Sequence, residues 1–158
     1  MGCALNINIV WFKRDLRTFD HAALFHGLKE GQILPLYIIE PQLWSLPDMS
    51  YRHYQFLMES LKDLQQDLQK VGLSLIIKVG DAVGVLETLR SRYDVCQIFS
   101  HQETWNGWTY ERDKRVKKWA KSQGVTWQEF TQNGVVRCLK DRDGWATRWY
   151  SHMKKPLL

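Results

Sequence analysis

Five short apolar runs punctuate the chain: INIVWF (7–12), ILPLYII (33–39), LSLIIKV (73–79), VCQIFS (95–100) and VTWQEF (125–130). Each has the length of a strand, and the first four are apolar at nearly every position. Such continuity predicts burial on both faces, as in a parallel sheet covered by helices. Between the runs the apolar spacing changes to three and four. Tyr54, Leu57, Leu61, Leu64, Leu68 and Val71 form one stripe, which predicts a long helix from about Ser50 to Val71. Ser50 or Asp48 can cap it, and Gly72 stops it. Shorter helices are predicted over about 19–29, over 82–92 with Asp81 as cap, and over about 108–123 before Gly124.

Strand and helix in alternation predict an α/β fold, a Rossmann-like three-layer sandwich. Its five-stranded parallel sheet is expected in the order 3-2-1-4-5. Strands 1 and 4 are then neighbours where the winding reverses, and ligands of such sheets bind there, beyond the carboxyl ends of the strands. KRDLR (13–17) follows strand 1, HQETWNGW (101–108) follows strand 4, and Glu40, Pro41 and Trp44 follow strand 2. Charges at the end of a central strand must be paired or must face a ligand. Lys13, Arg14 and Arg52 offer positive charge there. Trp11, Tyr37, Trp44 and Trp105 offer aromatic faces, so the residues themselves suggest a site for a small, flat, anionic molecule. Internal pairing of Asp15, Arg17 and Asp20 is the competing reading.

The 158 residues suffice for one buried domain. No apolar run approaches the roughly 20 residues of a membrane span, and residues 1–8 lack a secretory signal. The start MGCALN resembles a lipidation signal but has Asn6 where Ser or Thr is required. Cys3, Cys96 and Cys138 are sparse and far apart, which predicts a reducing, cytoplasmic setting without disulfides or a cysteine-bound metal. Charge is uneven: residues 1–111 carry 10 basic and 13 acidic side chains, residues 112–158 carry 12 and 4. A basic C-terminal part can face a polyanion or can be a solvated helix with a linker. Glycine-rich phosphate loops, a nucleophile elbow and a zinc-binding HExxH are all missing from the sequence, which argues against P-loop, hydrolase and zinc-protease chemistry. Residues 1–131 read as one domain and 132–158 as a linker.

VWFKRDLRTFDHAAL (10–24) resembles the opening of the DNA photolyase and cryptochrome family. The resemblance continues in order through LYIIEPQLW, DMSYRHYQFLMESLKDLQQDLQKVGLSLIIKVGD and ERDKRVKKWAKSQGV, over nearly all of residues 7–130. It implies an N-terminal α/β domain that carries a light-harvesting antenna: a methenyl folate, a deazaflavin or flavin mononucleotide. A second, helical domain of that family holds FAD and damaged DNA, and light-driven electron transfer from FAD splits pyrimidine dimers. By position, Lys13, Arg14, Tyr37, Glu40, Met49, Arg52 and Glu103 match antenna contacts. Glu40 and Glu103 would accept from ring N–H groups, and Arg52 would approach an anionic tail.

The segment after strand 4 departs from the family pattern, with His101 where Asn is common, so the type of antenna stays open. Residues 1–158 are expected to carry no FAD pocket and to split no dimers on their own. A folate antenna leans on the helical domain, so deazaflavin or flavin mononucleotide is favoured here. Trp11, Trp108, Trp119 and Trp127 are expected in the core or pocket rather than in an electron relay. The alternative is a stand-alone nucleotide-binding or signalling module of the same fold.

Overall fold

A computed structural model describes residues 6–158. Strand β1 (Asn6–Phe12) lies at the centre of a parallel five-stranded sheet. It pairs with β2 (Ile33–Ile39) on one side and with β4 (Asp94–His101) on the other. β3 (Ile76–Val79) extends the sheet beyond β2, and β5 (Thr126–Phe130) extends it beyond β4. The observed order is 3-2-1-4-5, as the alternation predicts.

Side chains of β1 point alternately to the two faces. Val10 and Phe12 pack with α1 (Ala22–Lys29) and the long α3 (Tyr51–Lys70). Ile9 and Trp11 pack with α4 (Ala82–Arg92) and α5 (Gly107–Gln123). The α3 stripe buries Leu57, Leu61, Leu64 and Leu68, while Val71 at its end is exposed. Ser50 caps α3 by accepting from His53 N, Asp81 caps α4, and Gly124 ends α5 at φ 68°.

Three elements differ from the sequence reading. β3 has four residues rather than seven, and Ile77, Lys78 and Val79 are exposed. It is an edge strand, so its apolar run does not mean burial on both faces. A four-residue α2 (Pro41–Trp44) follows β2, started by Pro41. The stretch read as a linker contains α6 (Trp145–Met153), none of whose residues is buried. Trp145 Nε1 donates to Gly134 O at 3.0 Å, which folds α6 back towards the end of β5.

Cys96 and Cys138 are free and exposed. Cys3 and most of the MGCALN stretch lie outside the described residues. Among the described residues no helix is long and apolar enough to cross a membrane.

Helix α1 lies tight against the sheet at Gly27. A Cβ there would meet Val10 Cγ2 at 2.7 Å and Ile33 Cγ2 at 3.4 Å. Val10 is fully buried and β-branched, so it cannot swing away. Gly27→Ala is expected to lower stability by about 1–3 kcal/mol, the cost of overpacking, in a urea unfolding curve.

Candidate functional site

A cavity of about 490 Å³ opens at the carboxyl ends of β1, β2 and β4, where the winding of the sheet reverses. Trp11, Phe12 and Tyr37 form its inner wall from the strands. Leu43 and Trp44 of α2 and Met49, His53 and Leu57 around the start of α3 close one side. Glu103 and Trp105, in the turn between β4 and α5, and Arg112 of α5 close the other. A second groove of about 380 Å³ runs between β3 and α4, but no buried polar side chain lines it.

Six of the seven candidate residues line this cavity: Lys13, Arg14, Tyr37, Glu40, Met49 and Glu103. Arg52 is exposed on the first turn of α3 and is not among the lining residues, although Met49 and His53 beside it are. Lys13 lines the cavity with its ammonium already spent. Nζ donates to Asp113 Oδ2 at 3.2 Å and lies 4.6 Å and 5.1 Å from the ring centroids of Trp11 and Trp127. Arg14 is exposed at the mouth, its guanidinium 4.5 Å over the Trp105 ring.

Arg112 organises the charges beneath the cavity. Nη1 donates to Glu40 Oε2 at 2.7 Å, and Nη2 and Nε donate to Asp113 Oδ1 at 2.9 Å and 3.1 Å. Glu103 Oε2 lies 4.0 Å from the same guanidinium. Arg137 adds a third cation, donating to Asp113 at 3.1 Å and to Glu129 at 2.9 Å. Arg112, Asp113, Glu40 and Lys13 are all buried, so each depends on its partners. Glu40 Oε1 is buried without a hydrogen bond, and Glu40 lines the cavity. Burial pushes the Glu40 carboxyl above its ordinary pKa, outweighing Arg112, and burial does the same to Glu103 against Lys13 and Arg112. Burial, reinforced by Glu40, also raises the Tyr37 phenol, which therefore stays neutral.

The other charges of KRDLR are held within the domain, though not by one another. Asp15 Oδ1 accepts from Lys13 N at 2.8 Å, and Oδ2 meets His101 Nδ1 at 2.5 Å and His21 Nε2 at 2.8 Å. Burial alone would raise the Asp15 pKa, but the two histidines hold it far below the carboxylate range. Arg17 donates to the carbonyls of Phe19 and Asp20 rather than to the Asp20 carboxylate. Asp15, His21 and His101 have the spacing of metal ligands. His21 Nδ1, however, spends its lone pair on Leu24 N–H as the cap of α1. In a neutral ring the proton then sits on Nε2, which leaves no lone pair for a metal there.

Sequence reasoning gave no role to Arg112, Asp113 or Arg137. A signal existed for the first two. The buried face of α5 comprises Thr109, Arg112, Asp113, Val116, Trp119 and Ala120, so two charges sit on its apolar stripe. Arg137 had no such signal. Of the tryptophans, Trp11 and Trp119 are buried, and Trp127 packs 5.9 Å from Trp11 and donates to Ser100 Oγ at 3.0 Å. Trp108 is half-buried on α5, near Arg112.

A central parallel strand running into buried paired charges beneath an aromatic cavity defines an α/β domain with a candidate ligand site at its switch point. A family profile described as DNA photolyase matches residues 8–155, and the chain belongs to that family, as its N-terminal α/β domain. It is 33% identical over 105 residues to a tomato (Solanum lycopersicum) protein named cryptochrome DASH, chloroplastic/mitochondrial, covering 62% of this chain and 18% of that protein. It is 33% identical over 118 residues to a deoxyribodipyrimidine photo-lyase of Salmonella typhimurium, covering 70% and 24%. A bacterial class III photolyase from Agrobacterium tumefaciens superposes with a TM-score of 0.78 at 25% identity, over 91% of this chain and 30% of that one. An archaeal photolyase from Sulfolobus tokodaii, described with two FAD molecules and a novel light-harvesting cofactor, superposes at 0.75 and 23% identity, over 96% and 36%. The chain thus spans about a fifth to a third of the proteins it resembles. This membership favours the antenna-domain reading over a stand-alone signalling module.

Proposed function

We propose that this domain holds an antenna chromophore in the cavity beyond β1, β2 and β4, and passes excitation to FAD in a helical domain that acts on damaged DNA. Residues 1–131 form the antenna domain, and residues 132–158 lead towards the helical one. The domain itself performs no bond cleavage. The observation that carries the reading is a cavity at the carboxyl ends of the central strands, walled by Trp11, Tyr37, Trp44 and Trp105, with Glu40, Glu103 and Arg112 in its lining. Glu40 and Glu103 offer acceptors at depth, suited to the N–H groups of a flat heterocycle. Arg14 at the mouth, stacked on Trp105, suits a phosphate or carboxylate tail. Flavin mononucleotide or a deazaflavin meets both demands within this domain, whereas methenyl folate is expected to need helical-domain contacts as well.

Fluorescence titration tests the reading. Flavin mononucleotide or deazaflavin is expected to bind more tightly than methenyl folate. Arg14→Ala is expected to weaken flavin mononucleotide by about 1–3 kcal/mol, the value of a charged hydrogen bond. Arg52→Ala, the substitution to which the sequence alone would assign that loss, is expected to have little effect because Arg52 lies outside the lining. Affinity should also fall as pH drops through the raised pKa values of Glu40 and Glu103, since ionised carboxylates are the acceptors. Failure of all three chromophores to bind would reject an antenna role.

A further inference from the structure

Glu103 lies in a turn without strand or helix hydrogen bonding, between β4 and α5. Its backbone carbonyl cannot use the sheet ladder, which ends at His101. Arg137, 34 residues further on, supplies the partner: Nε donates to Glu103 O at 3.0 Å, and Nη2 donates to the same oxygen. The remaining donors reach Glu129 and Asp113, so the fork is fixed on both sides. Four residues earlier, Asn133 Nδ2 donates to Thr104 Oγ1 at 3.4 Å, a second tie from the same strap to the same turn. The strap is held from outside by α6. A Cβ at Gly134 would lie 2.1 Å from Trp149 Cδ1, and the Gly134 carbonyl accepts from Trp145.

We infer that Arg137 is a positioning residue for the cavity: its two-pronged grip on the Glu103 carbonyl fixes the β4–α5 turn and so presents the Glu103 carboxylate to a ligand. The segment after β5 is then part of the site's scaffold, and its displacement loosens ligand binding. The inference rests on the reading of the cavity as a ligand site. A guanidinium is required, because an ammonium can neutralise Asp113 and Glu129 but cannot hold the carbonyl with two fixed donors.

Arg137→Gln and Arg137→Lys in the full 158-residue chain separate this role from plain charge balance. Amide hydrogen exchange on the ligand-free protein is read first. In both variants Thr104 N–H, which donates to Glu103 Oε1, should exchange faster. Gln102 N–H, bound to Phe130 O, should stay protected. Arg137→Lys should recover the urea midpoint lost in Arg137→Gln without recovering Thr104 protection. Flavin mononucleotide, titrated by fluorescence, should bind roughly tenfold more weakly to both variants. Wild-type exchange at Thr104 in Arg137→Gln, or full recovery of exchange and affinity in Arg137→Lys, overturns the inference. If the wild type binds no flavin mononucleotide, the cavity reading fails for that ligand, and the exchange experiment alone decides whether Arg137 holds the turn.

Discussion

Arg112→Leu is expected to destabilise the domain by about 3–5 kcal/mol, a large share of the about 5–15 kcal/mol that holds a typical domain folded. Arg112 is the common partner of Glu40 and Asp113, and all three are buried. Without it Glu40 loses its one hydrogen-bonded cation, and Asp113 keeps only Lys13 and Arg137. The penalty is that of leaving carboxylates uncompensated in the interior, not the net worth of the ion pair. The double variant Arg112→Leu with Glu40→Leu should therefore lose less than the sum of the two single variants. Urea denaturation of the four proteins closes that cycle. Strict additivity would show that the two charges do not stabilise one another.

Asp15→Ala is expected to cost about 3–5 kcal/mol at neutral pH, because one buried carboxylate serves three groups. It accepts from Lys13 N at the end of β1, faces His21 at the start of α1 and meets His101 at the end of β4. Its removal unties the junction from which Lys13 and Arg14 enter the cavity. The pH dependence has a definite sign. The folded pKa of Asp15 lies below the unfolded value near 3.8, so its contribution is complete above that value and is lost as pH falls below it. Glu40 and Glu103 act oppositely. Their folded pKa values are raised, so their share is present below about 4.5 and is lost as pH rises through the folded values. Acid titration of unfolding should thus be steeper for wild type than for Asp15→Ala below pH 4 or so. A Glu103→Gln variant should lose less stability than wild type as pH rises towards neutrality. Equal acid slopes in wild type and Asp15→Ala would show that Asp15 is not held by the two histidines.

Much of the frame was legible in the chain. Residues two apart on a strand and three or four apart on a helix share a face, so a local pattern reports a local fate. That is why the β2 run, the α3 stripe and the Asp81 and Gly124 boundaries could be read directly. β3 misled because its apolar run has the same composition whether the strand is central or at an edge. Val79, on this edge strand, is 67% exposed, which no feature of its own segment announces. The strap and α6 escaped because their contacts are single long-range pairs, such as Trp145 with Gly134, without a period.

The site divides in the same way. Its location, its aromatic walls and the acids Glu40 and Glu103 follow from strand order and from which residues leave each strand. Which charges remain available to a ligand does not. Lys13 and Arg14 are adjacent and both basic, yet Lys13 is paired with Asp113, a hundred residues away, while Arg14 stacks on Trp105 at the mouth. The sequence alone determined the fold, the family and the place of the cavity, because these depend on periodicity and order along the chain. Only the tertiary structure decided which charge is spent and which is free, because ion pairing depends on distances that close between residues such as 13 and 113, or 103 and 137, once the chain has folded.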